Sequence, residues 1–437
     1  MRGLLATLAS IGALFIWTTD VSAAPSSQPS GGAGASSGRA AQATGAAQRA
    51  LTRALSSGIH AAGRASGAYV VDLTTGQTLF SAAAGTGRLP ASVEKLYTTS
   101  TALLRFGPSA SLTTSVLGRG TLTSRGTWDG TLYIRGGGDP TFGSQGFDQS
   151  NYGGGATIQR LVSNLLHATG IRALSGNVVG DESKFDSLRG TPATGYQASG
   201  FVEGELSAIA YDRGFSDLNG TSFALHPALT AAANLVNTLR DDGAKVPKGT
   251  RISAGVTPAS ATLLGEVHSP RMATLIALTN TPSDNFFAEM LLKDIGAQFG
   301  AGGTTADGAA VVRAQLAGSF GIHPQLDDGS GLSYDDLTTP IQVVTLLEHM
   351  ATDSAFVNSL AVAGETGTLQ DEMNGTIAQG RCRGKTGTLS AVSNLVGYCQ
   401  ARDGHTLAFA FLMNSIDPDV AHPIQDGMAV ALANYDG

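Results

Sequence analysis

Pro90-Ala91-Ser92-Val93-Glu94-Lys95-Leu96-Tyr97 places a hydroxyl and an amine three residues apart at what reads as a helix start, and this spacing constrains the chain more than any other stretch. Positions i and i+3 share a helix face, so Lys95 can reach back to Ser92. Pro90 interrupts the chain just upstream, and the run through Leu96, Leu103 and Leu104 ends at Gly107-Pro108, the pattern of a half-buried helix with a clear stop. A serine at a helix N-terminus lies beside unpaired backbone N–H groups that can hold a developing oxyanion. By itself Ser-x-x-Lys equally describes a serine near a cap with a solvated lysine one turn on. Of the six lysines, however, only Lys95 has a serine three residues before it.

Upstream, residues 1–23 read as a secretory signal: Arg2, an apolar run of 14 residues from Leu4 to Trp17, then Val21-Ser22-Ala23 as a small-x-small cleavage site. A membrane-spanning helix needs about 20 apolar residues, so the reading is export, with an uncleaved anchor as the lesser alternative. No cysteine follows the run, which gives no sign of a lipid anchor. Residues 24–45 are Ala, Ser, Gly and Gln with almost no large apolar side chain, and read as a flexible tether. Gly34-Ala35-Ser36-Ser37-Gly38 there matches the nucleophile-elbow pattern, but no strand precedes it and no helix follows.

About 390 residues remain, too many for one compact core, so two or more domains are expected. The formal charge of −7 is unchanged by loss of the signal, and it argues against nucleic acid or an anionic membrane as main partner. Residues 46–62 read as an amphipathic helix, followed by a hairpin of Ala68–Leu73 and Thr78–Phe80. Beyond Pro108 come short β-like runs, Leu112–Leu117, Gly130–Ile134 and Val178–Val179, with one helix near Thr157–Thr169. Helical texture returns near Met272.

Two further polar clusters carry chemistry. Asn280-Thr281-Pro282-Ser283-Asp284-Asn285 reads as an elbow between two helices that presents Ser283 and Asn285, or equally as a capping turn. Arg383-Gly384-Lys385-Thr386-Gly387-Thr388-Leu389 precedes Val392–Tyr398, two β-like runs about a short turn, with a third strand at Leu407–Leu412. Its glycines would let a ligand backbone lie along the strand, while Lys385 and the threonines offer a cation and hydroxyls for a carboxylate. An exposed strand end with a solvated lysine is the plainer reading of that piece alone.

In this order, Ser92-x-x-Lys95, Ser283-Asp284-Asn285 and Lys385-Thr386-Gly387 form the three-part set of penicillin-recognising serine acyl-transferases. Ser283 follows Ser92 by 191 residues, which implies an insertion. With Gly137-Gly138-Asp139-Pro140-Thr141 and Asp328-Gly329-Ser330-Gly331-Leu332-Ser333, the chain resembles the D-alanyl-D-alanine carboxypeptidase/endopeptidase family of class C low-molecular-mass penicillin-binding proteins, peptidase family S13. The resemblance implies an α+β fold: a β-lactamase/transpeptidase-like domain at 46–110 and 266–437, with a five-stranded antiparallel sheet and flanking helices. A mostly β inserted domain at 111–265, in one or two subdomains, would interrupt it.

It also implies roles. Ser92 is acylated by the penultimate D-Ala of peptidoglycan stem peptides, with β-lactams as covalent inhibitors. Lys95 is the base, neutral because burial and the charge of Lys385 lower its pKa. Ser283 relays the proton to the leaving amine, and Asn285 binds a substrate amide. Lys385 and the hydroxyls of Thr386 and Thr388 take the terminal carboxylate beside Gly387, and the N–H groups of Ser92 and Thr388 hold the oxyanion. Neither a cofactor nor a metal is expected, since the eight histidines lack ligand spacing. A serine β-lactamase and a non-catalytic wall-binding protein are the alternatives on the same fold. Arg135 and Asp139 are candidates for contacting the third stem residue, although a glycine-flanked Asp-Pro is more often a turn.

Cys382 and Cys399 add a register test. A hairpin centred midway between residues 390 and 391 sets them directly opposite one another, where either a disulfide or two buried thiols would fit.

Overall fold

The computed structural model describes residues 33–217 and 220–437, so the signal read at 1–23 lies outside the described residues. α1 (Ala33–Ala62) leads to the hairpin of β1 (Ser66–Asp72) and β2 (Gln77–Ala82), and a 3-10 turn at Ala91–Glu94 opens α2 (Lys95–Phe106). β3 (Thr113–Leu122), β4 (Thr127–Arg135), α3 (Gln145–Tyr152), α4 (Ile158–Thr169), β5 (Ala173–Ser175) and β6 (Val178–Asp181) follow. Then come α5 (Pro227–Asp241), β7 (Ile252–Ala254), β8 (Thr262–His268), α6 (Met272–Asn280), α7 (Asn285–Phe299), α8 (Thr305–Phe320), α9 (Pro340–Met350) and α10 (Ser354–Asn358). β9 (Ala361–Val362), β10 (Cys382–Leu389), β11 (Val392–Gln400), β12 (Thr406–Asn414) and α11 (Pro418–Ala433) complete the chain. Among the described residues no helix is long and apolar enough to cross a membrane.

The first sheet has the order β2-β1-β12-β11-β10-β9 with antiparallel neighbours throughout. It is the expected five-stranded sheet, extended at one edge by the two residues of β9. Both faces are covered, which is why its central strands read as unbroken apolar runs rather than alternating ones. On β12, Ala408, Ala410 and Leu412 face a core shared with α2, α6, α7 and α9. Leu407, Phe409, Phe411 and Met413 face Leu51 and Leu55 of α1 and Met428 and Leu432 of α11.

The second sheet runs β7-β6-β4-β3-β8, with β5 also on β4. β3 pairs antiparallel with β4 and β8, whereas β5 and β6 pair parallel with β4. Leu161, Val162 and Leu165 of α4 and Leu235, Val236 and Leu239 of α5 cover Val116, Leu132 and Ile134 of this sheet.

Three readings of the sequence need correction. The stretch taken as a tether up to residue 45 is helical from Ala33, because a low-hydrophobicity, alanine-rich composition also has the highest intrinsic helix propensity. The second sheet extends through β8 to His268, beyond the expected limit of 265. Between Pro108 and Met272 the described residues hold three helices, not one: α3 is polar with no apolar stripe, while α5 starts with Pro227 at its first turn and buries Ala228, Ala231, Ala232 and Leu235 at helical spacing.

The hairpin register of β10 and β11 is the one inferred, with Leu389 opposite Val392 and Cys382 opposite Cys399. The two cysteines are joined as a disulfide, their Cα atoms 4.1 Å apart. Thiol titration of the denatured, unreduced protein is expected to find no free thiol, and two would refute the bridge. Cys382→Ser with Cys399→Ser should cost about 2 kcal/mol in denaturant unfolding, because only a short loop is closed.

Candidate active site

The nucleophile candidate is held by backbone packing from three directions. Asn394 of β11 donates to the carbonyls of Leu89 and Pro90 at 3.0 and 2.8 Å, and Asn414 of β12 accepts from Leu89 N–H at 2.9 Å. Ala91 has φ of +46°, a conformation that an L-residue keeps only when its surroundings enforce it. Gly331 supplies that enforcement: a Cβ there would lie 1.9 Å from the Ala91 carbonyl oxygen, so only glycine lets the 328–331 loop close on the turn. Gly387 is needed for the same reason on the other side, where a Cβ would come within 2.5 Å of the Pro90 oxygen. β10 is thereby pressed against the Ser92 turn.

Lys95 is fully buried at the first turn of α2. Its Nζ lies 2.9 Å from Ser92 Oγ, 2.6 Å from Asn285 Oδ1 and 2.7 Å from the Ser330 carbonyl oxygen. Two of these three neighbours are pure acceptors, so a neutral amine satisfies both with its two N–H bonds and turns its lone pair to the Ser92 hydroxyl. Burial lowers the Lys95 pKa to about 8, against the opposing pull of nearby carboxylates, Asp328 first among them. Burial is the cause expected from the sequence; the carboxylates come from distant parts of the chain, and the charge of Lys385 is not among the main causes. Lys385 is depressed well below the usual lysine value, by burial first and by Lys95 second. An ammonium on one of these lysines therefore disfavours an ammonium on the other.

Ser283 occupies the elbow between α6 and α7 with φ of +71°, and its Oγ accepts from Lys385 Nζ at 2.8 Å. Asp284 caps α7, accepting from Phe287 N–H at 2.9 Å. The inserted region grips this elbow. Asn285 N–H donates to Glu203 Oε2 at 2.9 Å, and Asn285 Nδ2 donates to the Phe201 carbonyl at 2.7 Å. Arg213 pairs with Asp284, donates to Tyr152 Oη at 2.7 Å and lies 5.3 to 5.5 Å from the ring centres of Tyr152, Phe286 and Phe287. Truncating Arg213 to Ala leaves Asp284 without its guanidinium in a largely buried site, and should lower stability by about 3 kcal/mol. Arg213→Lys should recover only part, since it loses the fork and the ring stacking. An unchanged denaturation midpoint in Arg213→Ala would refute this.

β10 presents an open edge toward the same cleft. The close Cα spacing marks Cys382–Cys399 as a pair that exchanges no backbone hydrogen bonds, and the Cys382 carbonyl accordingly turns outward to Ala363 N–H. By alternation Thr386 and Thr388 also turn their N–H and C=O groups outward, and β9 covers only Arg383 and Gly384. The Thr386 carbonyl accepts from Lys385 Nζ at 2.8 Å, as that orientation requires. The Thr386 hydroxyl bonds Thr368 Oγ1 at 2.8 Å, whereas Thr388 is exposed. Thr388, Leu389, Asn285, Asp327, Tyr334 and Phe201 line a cavity of about 750 Å³.

The structure thus gathers Ser92, Lys95 and Asn285 on one side and Ser283 and Lys385 on the other, with Gly387 between turn and strand. It leaves Asp139 apart: fully buried, its Oδ1 accepts from the Thr141 N–H and hydroxyl at 2.8 Å, the turn reading of that motif. Three contributors are not singled out by the sequence. The Ser330 carbonyl had a signal in the Asp328-Gly329-Ser330-Gly331 run, but Glu203 and Phe201 reach Asn285 from more than 80 positions away with no local pattern.

The model of the D-Ala-D-Ala carboxypeptidase 3 (S13) family matches residues 48–199 and 217–435. A D-alanyl-D-alanine carboxypeptidase from an Actinomadura species is 30% identical over 460 aligned positions, covering 86% of this chain and 82% of the relative. Among solved structures, penicillin binding protein 4 from Haemophilus influenzae superposes with a TM-score of 0.70 at 20% identity, covering 87% of this chain and 99% of that one. A penicillin G-acylated predatory endopeptidase from Bdellovibrio bacteriovorus gives 0.53 at 17% identity, covering 85% and 92%. On the match along nearly the whole described chain, this protein belongs to the D-Ala-D-Ala carboxypeptidase 3 (S13) family.

Proposed function

We propose that this chain is a serine D-alanyl-D-alanine peptidase that acts on peptidoglycan stem peptides through an acyl-enzyme on Ser92. The observation that carries the reading is the Lys95 amine, held between two carbonyl-type acceptors with its third direction on Ser92 Oγ. The substrate backbone lies along the open edge of β10, which aims the carbonyl of the penultimate D-Ala at Ser92. Lys95 takes the Ser92 proton as the new C–O bond forms, and the N–H groups of Ser92 and Thr388 receive the oxyanion. The proton taken by Lys95 is relayed through Ser283, bonded to Lys385, to the departing amine as the C–N bond breaks, so that terminal D-Ala leaves and Lys95 is neutral again. Lys385 and the Thr388 hydroxyl hold its carboxylate, whose negative charge favours the ammonium form of Lys385. Water then takes the place of the leaving amine and frees the shortened peptide.

β-Lactams imitate the acyl donor and stop at the acyl-enzyme. Because cross-linked wall lies outside the membrane, the chain acts extracytoplasmically, in keeping with the signal read in residues 1–23. Incubation with labelled penicillin followed by peptide mass spectrometry should place one adduct on Ser92, and a peptide ending in D-Ala-D-Ala should release D-Ala. Absence of both the adduct and the release would refute the assignment.

A further inference from the structure

Four carboxyl groups that the reaction does not use lie beneath the Ser92–Lys95 pair. Glu94 comes from the nucleophile turn, Glu289 from α7, and Asp328 and Asp336 from the loop between α8 and α9; all four are fully buried. Their hydrogen bonding is unequal. Asp328 accepts three backbone N–H bonds, from Ser330 at 3.1 Å, Gly331 at 2.6 Å and Ser333 at 2.9 Å. Glu289 accepts one, from Gly329 at 3.0 Å, and Asp336 one, from Asp327 at 2.6 Å. Both oxygens of Glu94 and the second oxygen of Asp336 have no partner.

A buried carboxylate is stable only where donors or a cation compensate it, and otherwise keeps its proton. Asp328 alone has such a set of donors. Those same bonds fix the Ser330–Gly331 backbone, and so the carbonyl that accepts from Lys95 Nζ. We infer that Asp328 is the one ionised carboxylate under the active site and the positioning residue for Lys95, while Glu94, Glu289 and Asp336 stay protonated. The inference rests on the reading of Lys95 as the base.

The electrostatics agree in direction. Burial first, and acidic neighbours second, raise Glu94 well above the usual carboxylate range, Glu289 to about 8 and Asp336 to about 9. Asp328 is raised by burial too, but its three N–H donors and Lys95 pull it back. The other charged groups around Lys95 are Glu203 from the inserted region, Asp284 at the α7 cap, which is paired with Arg213, and Lys385 on β10. With Asp328 ionised beneath it, Lys95 holds its proton more tightly than burial alone dictates. Removing that anion must therefore make the lysine neutral at lower pH.

The test is the pH dependence of Ser92 acylation by labelled penicillin in the full chain. In wild type the rate should rise with pH as Lys95 loses its proton. Asp328→Asn should move that limb down by about one pH unit or more, the effect of a single near charge. Glu289→Gln and Asp336→Asn, which replace groups already neutral, should leave the limb in place. A folded Asp328→Asn with an unmoved limb overturns the inference, and so does a Glu289→Gln limb that moves down as far. Should Asp328→Asn not fold, infrared difference spectra decide: at neutral pH Glu289→Gln should lose a protonated carboxyl band, whereas loss of a carboxylate band overturns the inference. Failure of the wild type to acylate would instead refute the reading of the site, and the infrared result would stand apart from it.

Discussion

Lys95→Arg is expected to abolish penicillin labelling of Ser92, lowering the acylation rate by about 10²- to 10⁴-fold, the range that a positioned general base supplies. Guanidinium remains protonated at any working pH, so it can donate to Asn285 Oδ1 and the Ser330 carbonyl but cannot accept the Ser92 proton. Its plane and length also fit poorly in a fully buried slot shaped for an amine. A far-ultraviolet spectrum and a denaturation midpoint separate loss of chemistry from loss of fold. Labelling at the wild-type rate in a folded Lys95→Arg protein would refute Lys95 as the base. The sign of the pH dependence follows from the same group. With its pKa lowered to about 8, the reactive neutral form accumulates as pH rises through that value and is lost below it.

Lys385→Ala should lower peptide turnover by about 10²-fold, because one partner of a desolvated ion pair is removed just where the leaving residue carries its carboxylate. The loss should fall mainly on kcat/KM for free-acid substrates. A substrate with an amidated terminus should be poor even with the intact enzyme, and nearly indifferent to the substitution. Equal rates on free-acid and amidated termini in the unaltered protein would rule out carboxylate capture by Lys385. Ser283 makes the effect more than one of binding, since its hydroxyl takes its hydrogen bond from Lys385 Nζ and would lose its orientation as well.

Local rules and short motifs carried much of this protein in the sequence. The turn-and-helix around Ser92, the elbow at 281–284 and the β10–β11 hairpin are short-range structures, fixed by proline, glycine and apolar spacing within a dozen residues. Even the opposition of Cys382 and Cys399 followed from counting across a tight turn, because strand partners there have only one register to choose. The order of three motifs then announced the chemistry. Tertiary structure alone decided how that chemistry is poised. Lys95 is made reactive by burial among groups from α7, the 328–336 loop and the inserted region, and desolvation depends on what the rest of the chain brings to a point. Glycines 331 and 387 stand in motifs visible in the sequence, but the reason that they must be glycine is that two distant backbones meet the Ser92 turn. Likewise Arg213 and Glu203 reach Asp284 and Asn285 across an insertion that no periodicity could fold back on the site, since long-range contacts are set by the packing of whole faces rather than by the residues beside them.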